Sequence, residues 1–243
     1  MQKIYSESFL IRTSNCDMTG RLRPSDILTS MQELAGTHAH FLGCGRDALL
    51  QKNIVWVLSR TELVMDRYPT VGETLRAETF PMNNRRWFFP RYFHFWDENG
   101  TMIGKGGALW LLMDIKDRKM APPEAALPFF PDNSDLTAPL PMPGNLSPVT
   151  GEARISKRKP TYSDIDVNLH VNNTRYADWL CDALGTEVLQ DREIARLLIH
   201  YNHEVLPGQE MQLSLQTEEN AFRLTGTHGE DKHFDMGGMF RAR

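Results

Sequence analysis

Two stretches of the chain place apolar residues at helical spacing, and each is followed by segments that alternate in the manner of strands. The first stretch begins at the helix-start signal Pro24-Ser25-Asp26 and ends near Gly43, a residue type that favours helix termination. Its stripe consists of Ile27, Leu28, Met31, Leu34, Ala35, His38, Phe41 and Leu42. This stripe predicts an amphipathic helix that packs against a sheet.

Strand patterns dominate residues 54–114. The turn signal Asp97-Glu-Asn-Gly100 predicts a hairpin, and the glycines that follow it, Gly104, Gly106 and Gly107, predict a bulge or a close backbone approach. Residues 121–150 then contain 8 of the 14 prolines, which indicates an extended linker. Its apolar residues Leu127, Phe129 and Phe130 are expected to pack it along the surface.

The same order recurs after the linker. A strand near residues 153–157 precedes a second helical stripe, and strands are predicted at 195–204, 211–216, 221–227 and 234–241. The chain is therefore predicted to be α+β, with two units that each hold one long helix and one antiparallel sheet. The boundaries are an N-terminal domain at 1–120, a proline-rich linker at 121–150 and a C-terminal domain at 151–243.

Polar residues of types that take part in catalysis lie just before the second helical stripe. Asp166, Asn168 and His170 are spaced by two, so an extended backbone would place an acid, an amide and an imidazole on one face. Asn172 and Asn173 follow as candidate N-caps, and free N–H groups at a helix start suit a developing oxyanion. The alternative is a polar turn in which these residues only cap the helix. Aligning Asp17–Pro24 with Asp164–Val171 puts Thr19, Arg21 and Arg23 at the three polar positions.

Composition narrows the function classes. Hydrophobic residues make up 41% and charged residues 24%, as in ordinary globular proteins, and the formal charge of −4 argues against nucleic-acid binding. Three cysteines without metal-type spacing are typical of reduced thiols. The sequence contains no apolar stretch long enough to span a membrane and no targeting signal, so a cytoplasmic protein is expected.

The stretch Asp166-Val-Asn-Leu-His-Val-Asn-Asn173 closely resembles the Asp-x-Asn-x-His-Val-Asn-Asn segment of the acyl-carrier-protein thioesterases of plant plastids and bacteria. In the first half, Trp56-Val-Leu-Ser-Arg-Thr-Glu-Leu-Val-Met-Asp-Arg-Tyr-Pro69 also resembles its counterpart in this family. The resemblance implies a tandem hot-dog fold, with two antiparallel sheets each wrapped around one long helix. It also implies hydrolysis of a fatty acyl thioester by the second half, with the first half supplying the acyl pocket.

The resemblance also implies site residues. Ile199-His-Tyr-Asn-His-Glu204 matches the family pattern Leu-x-Tyr-x-x-Glu, so Glu204 is the candidate general base, with His170 as its partner. Asn168 and a helix N–H would hold the substrate carbonyl, and Asp166 would orient Asn168 and His170. Some plant members have a cysteine after this glutamate, where the present chain has Val205. The expected substrate-binding residues are Met31, Leu34, His38, Asn172 and Asn173.

No cofactor or metal is expected. His200 and His203 are three apart on a predicted strand and so face opposite ways, which does not suit a metal site. The expected partner is an acyl carrier protein, docked by basic runs at Arg85-Arg86 and Lys157-Arg158-Lys159, with no nucleic-acid or membrane partner. The protein is expected to be a monomer or a homodimer.

Three other functions remain open. The wider hot-dog superfamily includes acyl-CoA thioesterases, for which His170-Val-Asn-Asn173 is equally suitable. An enoyl-thioester hydratase would have Asp-x-Asn-Pro-x-His, but Leu169 follows Asn168 here and His170 comes one residue too early. A non-catalytic acyl-binding protein would keep the fold without needing the polar residues of the second half.

Overall fold

In the computed structural model, residues 1–243 form one antiparallel sheet and four α-helices. The helices are α1 (Pro24–Leu42), α2 (Arg46–Leu50), α3 (Arg175–Leu184) and α4 (Thr186–Asp191). The strands are β1 (Tyr5–Leu10), β2 (Ile54–Met65), β3 (Thr74–Pro81), β4 (Phe89–Trp96), β5 (Met102–Asp114), β6 (Lys119–Met120), β7 (Arg154–Arg158), β8 (Arg192–Tyr201), β9 (Met211–Thr217), β10 (Ala221–His228) and β11 (Asp231–Ala242).

The strand order confirms the internal repeat. The sheet runs β1-β3-β4-β5-β2-β8-β11-β10-β9-β7, with β6 paired on β5, so each half has the same order when read from its outer edge inwards. The two halves meet where β2 pairs with β8, through pairs such as Thr61↔Ile199 and Leu63↔Leu197. The predicted α+β units are thus present, and their two sheets join edge to edge into one 11-stranded sheet.

Helix α1 forms as its apolar spacing predicts. Pro24 occupies the first turn, and the helix ends at Gly43, whose φ of 87° is a left-handed conformation that glycine adopts without strain. In the second half, Gly185 interrupts the helical segment, so α3 has 10 residues and the short α4 follows it. Helices α1 and α3 contribute to the same core cluster of 34 buried residues. None of the helices has both the length and the apolar character needed to cross a membrane.

The proline-rich segment packs along the surface. Phe130 lies against the rings of Trp56 and Phe89, with ring centroids 6.2 and 5.3 Å apart. Farther along, the carbonyl of Gly144 accepts hydrogen bonds from Arg60 at 2.8 Å and from His200 at 2.8 Å, on the outer face of the β2–β8 junction. The segment therefore spans both halves, while the exact boundaries at 120 and 150 stay predictions.

Candidate active site

Asp166, Asn168 and His170 lie in a tight turn. The N–H of Asp166 donates to the carbonyl of His170 at 3.0 Å, and the N–H of Leu169 donates back to the carbonyl of Asp166 at 3.0 Å. The Asp166 carboxylate fixes the turn by accepting the backbone N–H of Asn168 at 2.8 Å. This local hydrogen bond stabilises a turn in place of a strand, so the extended conformation predicted for this stretch is wrong. Val167 and Leu169, 81% and 71% exposed, project into solvent.

The turn nevertheless brings the three polar side chains together. Asp166 Oδ2 lies 3.4 Å from Asn168 Nδ2, and Asp166 Oδ1 lies 3.7 Å from His170 Nδ1. His170 Nδ1 is also 3.3 Å from the carbonyl oxygen of Val171, which can only accept a hydrogen bond. The proton of the neutral imidazole therefore sits on Nδ1, and the lone pair of Nε2 is free to act as a base.

Glu204 lies on the loop that is bonded directly to this turn. The N–H of Val171 donates to the carbonyl of Val205 at 2.8 Å, and His233 Nδ1 donates to the carbonyl of Glu204 at 2.9 Å. The Glu204 side chain is about half exposed, with Oε1 3.7 Å from the Arg118 guanidinium, which belongs to the first half. The backbone of this loop is therefore held while its carboxylate remains accessible.

Tyr176, in the first turn of α3, is within electrostatic reach of both carboxylates. Burial is the main reason that the pKa of its phenol lies above the usual value, and the nearby charges of Asp166 and Glu204 raise that pKa further. The phenol ring packs edge-on against Phe234, with centroids 4.6 Å apart.

Asp164, which sequence reasoning did not single out, holds the base of the turn formed by Asp166 to His170. Its carboxylate accepts the Trp179 indole N–H at 3.0 Å and the Thr161 backbone N–H at 2.7 Å. Its carbonyl accepts the N–H of Asn172 at 2.8 Å. Burial alone would raise the pKa of Asp164, but these donors outweigh burial and hold the pKa below its usual value. The capping-box spacing of Thr161 and Asp164 is the signal that could have revealed it.

Asn172 and Asn173 do not cap α3 directly. The N-cap residue is Thr174, and the helix begins at Arg175. Asn172 Oδ1 accepts both the N–H and the hydroxyl of Thr174 at 2.9 Å, so it shapes the entry to the helix. The carbonyl of Asn173 accepts the Tyr201 hydroxyl at 3.1 Å. The predicted N-caps therefore lie one and two residues too early because a local turn precedes the helix.

A small apolar cavity of about 20 Å³ lies beside these residues, between the two halves. Its wall combines side chains of α1, β2, β4 and β5 with residues that follow His170: Leu28, Met31, Gln32, Leu58, Thr61, Phe93, Ala108, Trp110, Asn173, Thr174 and Tyr201. Of the three α1 residues expected at the acyl pocket, Met31 lines this cavity. Leu34 lies elsewhere in the core, 1% exposed.

His38 also lies outside the cavity, two helical turns beyond Met31. Its Nε2 donates to the carbonyl of Gln2 at 3.0 Å, and its Nδ1 accepts from the guanidinium of Arg91 at 3.1 Å. Burial, reinforced by the positive charge of Arg91, lowers the pKa of His38 to about 4. Arg91 is itself buried at 6% exposure and lacks a carboxylate partner, so a neutral His38 is its acceptor.

This depressed pKa predicts that acid weakens the fold. The unfolded chain takes up a proton on His38 near pH 6.5, whereas the folded chain resists until about pH 4. The free energy of unfolding should therefore fall as the pH is lowered through this window. Urea unfolding at about pH 7 and about pH 5 measures the loss. His38→Gln should lose less stability between these two conditions than the wild type or the exposed-site control His40→Gln, and an equal loss in all three proteins would contradict the assignment.

The first half contains a turn of the same form. Asp17 N–H donates to the carbonyl of Arg21 at 2.8 Å, the N–H of Gly20 donates back to Asp17 at 3.0 Å, and the Asp17 carboxylate accepts the N–H of Thr19 at 2.8 Å. Asp17, Thr19 and Arg21 therefore stand where Asp166, Asn168 and His170 stand. The alignment expected from the sequence is wrong by two residues, because it matched Asp17 with Asp164.

The loop that contains Tyr68 and Pro69 in the first half also matches the loop that contains Glu204 and Val205 in the second. The N–H of Leu22 donates to the carbonyl of Pro69 at 2.9 Å, just as Val171 donates to Val205. Tyr68 therefore occupies the position of Glu204. The first half has kept the turn and its backbone bonds but has neither the imidazole nor the carboxylate of the second.

The two halves of the chain match two models of one protein family. Residues 2–125 match the family described as the acyl-ACP thioesterase N-terminal domain, where ACP is acyl carrier protein, and residues 149–235 match the corresponding C-terminal domain. A palmitoyl-acyl carrier protein thioesterase of Gossypium hirsutum chloroplasts is 27% identical over 83% of this chain and 52% of its own length. An oleoyl-acyl carrier protein thioesterase of Arabidopsis thaliana is 24% identical over 93% of this chain and 67% of its own. The chain thus spans about half the length of the first of these relatives.

Solved structures extend the likeness to the whole fold. An acyl-ACP thioesterase from Bacteroides thetaiotaomicron superimposes with a TM-score of 0.89 at 27% identity, covering 98% of both chains. The 12:0-ACP thioesterase from Umbellularia californica gives a TM-score of 0.85 at 21% identity, over 99% of this chain and 98% of that one. The chain therefore has the tandem hot-dog fold that its sequence predicted.

Proposed function

Because the chain belongs to the acyl-ACP thioesterase family, we propose that it hydrolyses the thioester of a fatty acyl carrier protein and releases free fatty acid. One observation carries the proposal: the turn that gathers Asp166, Asn168 and His170 is bonded through Val171 to the loop of Glu204. Thioester hydrolysis requires a water-activating pair and a place for the acyl chain. The apolar cavity beside the same turn, at about 20 Å³, has room for about one water molecule, so an acyl chain would enter there only as the surrounding side chains move apart.

In the proposed reaction, the oxygen of water attacks the thioester carbonyl carbon while Glu204, assisted by His170, accepts a proton. A carbon–oxygen bond forms and the carbon–sulfur bond breaks. The proton taken from water returns to the departing thiolate, so the products are a fatty acid and a thiol. Asp166 positions the imidazole and the Asn168 amide, at 3.7 and 3.4 Å.

The developing oxyanion needs hydrogen-bond donors. The Asn168 side chain is exposed, and only one of its two N–H bonds is directed at Asp166, so the other can donate to a substrate carbonyl. At the start of α3, the N–H groups of Arg175 and Ala177 are already bonded to the carbonyls of Asn172 and Thr174, so the helix adds the positive potential of its first turn rather than a row of free donors. Asn172 and Asn173 shape this entry and are proposed to border the bound substrate.

The donor is proposed to be a carrier protein, with coenzyme A as the alternative. The test compares kcat/KM for one acyl chain on each donor, at low and high salt, with a thiol dye. We expect preference for the carrier-protein thioester, diminished by salt because screening acts over about 8–10 Å. A salt-independent preference for the coenzyme A ester would leave a general acyl-CoA thioesterase as the better description.

The basic runs expected to dock the carrier differ in whether their charges already form ion pairs within the chain. Lys157 pairs with Glu210 at 2.7 Å, and Arg158 pairs with Asp182 at 2.6 Å while lying over the Trp179 ring. Reversing these charges would disturb the fold as well as docking. Lys159 and the Arg85-Arg86 pair are exposed and form no ion pair, so they are the better candidates for electrostatic steering of an acidic carrier.

The catalytic turn also presents apolar side chains at the site. Tyr162, Val167 and Leu169 are 98%, 81% and 71% exposed. Leu169 has a φ of 63°, a conformation that is unfavourable for leucine, and the matching residue of the first half is Gly20. Because Leu169 is exposed and in an unfavourable backbone conformation, it is proposed to contact the carrier protein or its thioester-bearing arm.

Leu169→Gly tests this contact. We expect kcat/KM with the acyl carrier protein to fall several-fold, while the free energy of unfolding is unchanged or rises by up to about 1–2 kcal/mol, because glycine relieves the left-handed strain. Steady-state kinetics and urea unfolding measure the two quantities. Val71→Gly, an exposed apolar residue of the first half, is the control for truncation alone. Unchanged kcat/KM would remove Leu169 from the docking surface.

The two halves are proposed to work as one unit, since they share the β2–β8 pairing and one core. The predicted division into a non-catalytic half, a linker and a catalytic half follows this view. Residues 151–243 alone would expose the edge of β8 and are expected to be poorly soluble or to self-pair. A cytoplasmic location is proposed because all three cysteines are free thiols.

A further inference from the structure

A second, larger cavity of about 360 Å³ lies on the opposite side of the two-fold repeat from the proposed active site. Its apolar wall includes Leu22, Tyr68, Cys181, Leu189 and Ile194. Leu22 and Tyr68 come from the first-half turn and its neighbouring loop, and Cys181 and Leu189 come from α3 and α4. The proposed mechanism uses none of these side chains.

The repeat relates this cavity to the small cavity of about 20 Å³ beside the second-half turn, called the acyl cavity here because Met31, expected at the acyl pocket, lines it. Pairing of β2 with β8 makes Leu58 and Ile194 equivalent, and each lines the cavity on its own side. The matching turns make Asn173 equivalent to Pro24 and Gln32 equivalent to Cys181, and these residues also line their respective cavities. The second cavity is therefore the counterpart of the acyl cavity, entered beside the Asp17–Arg21 turn.

Arg21 replaces the imidazole at this entrance. Its Nη1 lies 3.4 Å from Glu193 Oε2, and its side chain is 33% exposed. The main partner of Glu193 is another arginine, Arg241, whose Nε donates to Oε1 at 2.6 Å. Arg21 therefore keeps most of its five N–H donors available for an anion.

The acidic residues of the lining do not cancel this cation, because each has its own basic partner. Asp17 pairs with Arg243 at 2.8 Å, and Asp178 pairs with Arg175 at 3.0 Å. Asp182 is paired with Arg158. The cavity thus combines an apolar interior with one guanidinium at its mouth, that of Arg21, most of whose N–H donors are unpaired.

We propose that this second cavity binds an amphipathic carboxylate of the fatty acid class, with its carboxylate on Arg21 and its chain along Leu22, Leu189 and Ile194. A carboxylate and a guanidinium form charge-assisted hydrogen bonds, and a cavity of this size that joins an apolar wall to an available cation suits a small amphipathic molecule. The choice of ligand rests on the proposed function, since a fatty acid is the expected product. Hydrolysis would then release a molecule that the same chain can hold at a separate place.

Calorimetric titration of the full chain with sodium decanoate tests the proposal, with decanol as a probe that has the same chain length but no carboxylate. We expect Arg21→Gln to weaken decanoate binding about 10–100-fold, as loss of a hydrogen bond to a charged group does, and to leave decanol binding within about twofold. Arg23→Gln is the matched control, because Arg23 lies on the same rim but is held by Asp26 at 2.8 Å and Ser14 at 2.7 Å. Leu189→Glu, which places a negative charge in the cavity, should also abolish decanoate binding.

Two results would overturn the inference: decanoate binding that is unchanged in Arg21→Gln, or decanol binding that falls as much as decanoate binding. Thiol release measured on the same preparations separates this inference from the proposed function. If the chain frees thiol but its decanoate binding does not depend on Arg21, the proposed function stands and the second site is refuted. If decanoate binding depends on Arg21 but no thiol is freed, the second site stands and the proposed function is refuted.

Discussion

His170→Ala and Glu204→Gln are each expected to lower kcat for thioester hydrolysis by about 10²–10⁴-fold, the range typical of a general acid or base. The expectation follows from the free Nε2 of His170 and from the accessible carboxylate of Glu204 on the loop bonded to the same turn. Thiol release at saturating substrate measures kcat. Because both side chains are partly exposed and neither holds the core, urea unfolding should show little change in stability.

The chain offers matched controls for both variants. Glu210→Gln changes another exposed glutamate of the same loop region, and His40→Ala changes an exposed histidine of α1. Both controls should keep near-full activity. A Glu204→Gln variant that also keeps it would remove Glu204 from the site and leave His170 as the base.

Trp179→Ala is expected to have the largest effect on stability, about 3–5 kcal/mol, as for other buried aromatic residues replaced by alanine. Trp179 is 0% exposed, packs edge-on against Phe234 with centroids 6.0 Å apart, and donates its indole N–H to Asp164. The loss should be accompanied by lower kcat, because Asp164 anchors the catalytic turn.

Trp179→Phe separates packing from the hydrogen bond. It keeps most of the ring contacts but leaves one bond of the buried Asp164 carboxylate unmade, so a loss of about 1–3 kcal/mol is expected. Denaturant midpoints and slopes for both variants give the free energies of unfolding. A loss below about 1 kcal/mol in Trp179→Ala would show that the turn does not depend on this anchor.

Features with a strong local signal were predictable from the sequence. Helix α1 has a long apolar stripe, a proline in its first turn and a glycine at its end, and each of these signals acts within a few residues. The hairpin at Asp97–Gly100 and the close approaches at Gly104 and Gly106 also follow from local chemistry. In the structure, an added Cβ at Gly104 would meet Met65, and one at Gly106 would meet Met31, whereas Gly107 has only ordinary contacts.

The turn from Asp166 to His170 was not predictable as a turn. Alternating apolar and polar residues over a window this short fit a strand as well as any other conformation. The Asp166 carboxylate decides the outcome by accepting the N–H of Asn168 at 2.8 Å, and this bond leaves Val167 and Leu169 in solvent. Hydrophobic character alone would have buried them.

Interactions between distant parts of the chain were the hardest to infer. The pairing of β2 with β8 unites the sheets, and the Arg91–His38 contact removes His38 from the acyl cavity. Both contacts depend on the packing of strands and helices that are far apart in sequence, for which composition and periodicity carry no signal. The two-residue error in aligning the halves arose because Asp164 and Asp166 are both acidic, and only their backbone bonds distinguish them.

Product stoichiometry in a single turnover is the most direct measurement of the central claim, that the second-half turn hydrolyses a fatty acyl carrier protein. The enzyme, in excess, is mixed with acyl carrier protein, and free thiol and free fatty acid are quantified over time. The account predicts that both products appear together in equal amounts and that His170→Ala slows both equally. A carrier protein that stays acylated, or an acyl group that leaves without one free fatty acid per thiol, would contradict it.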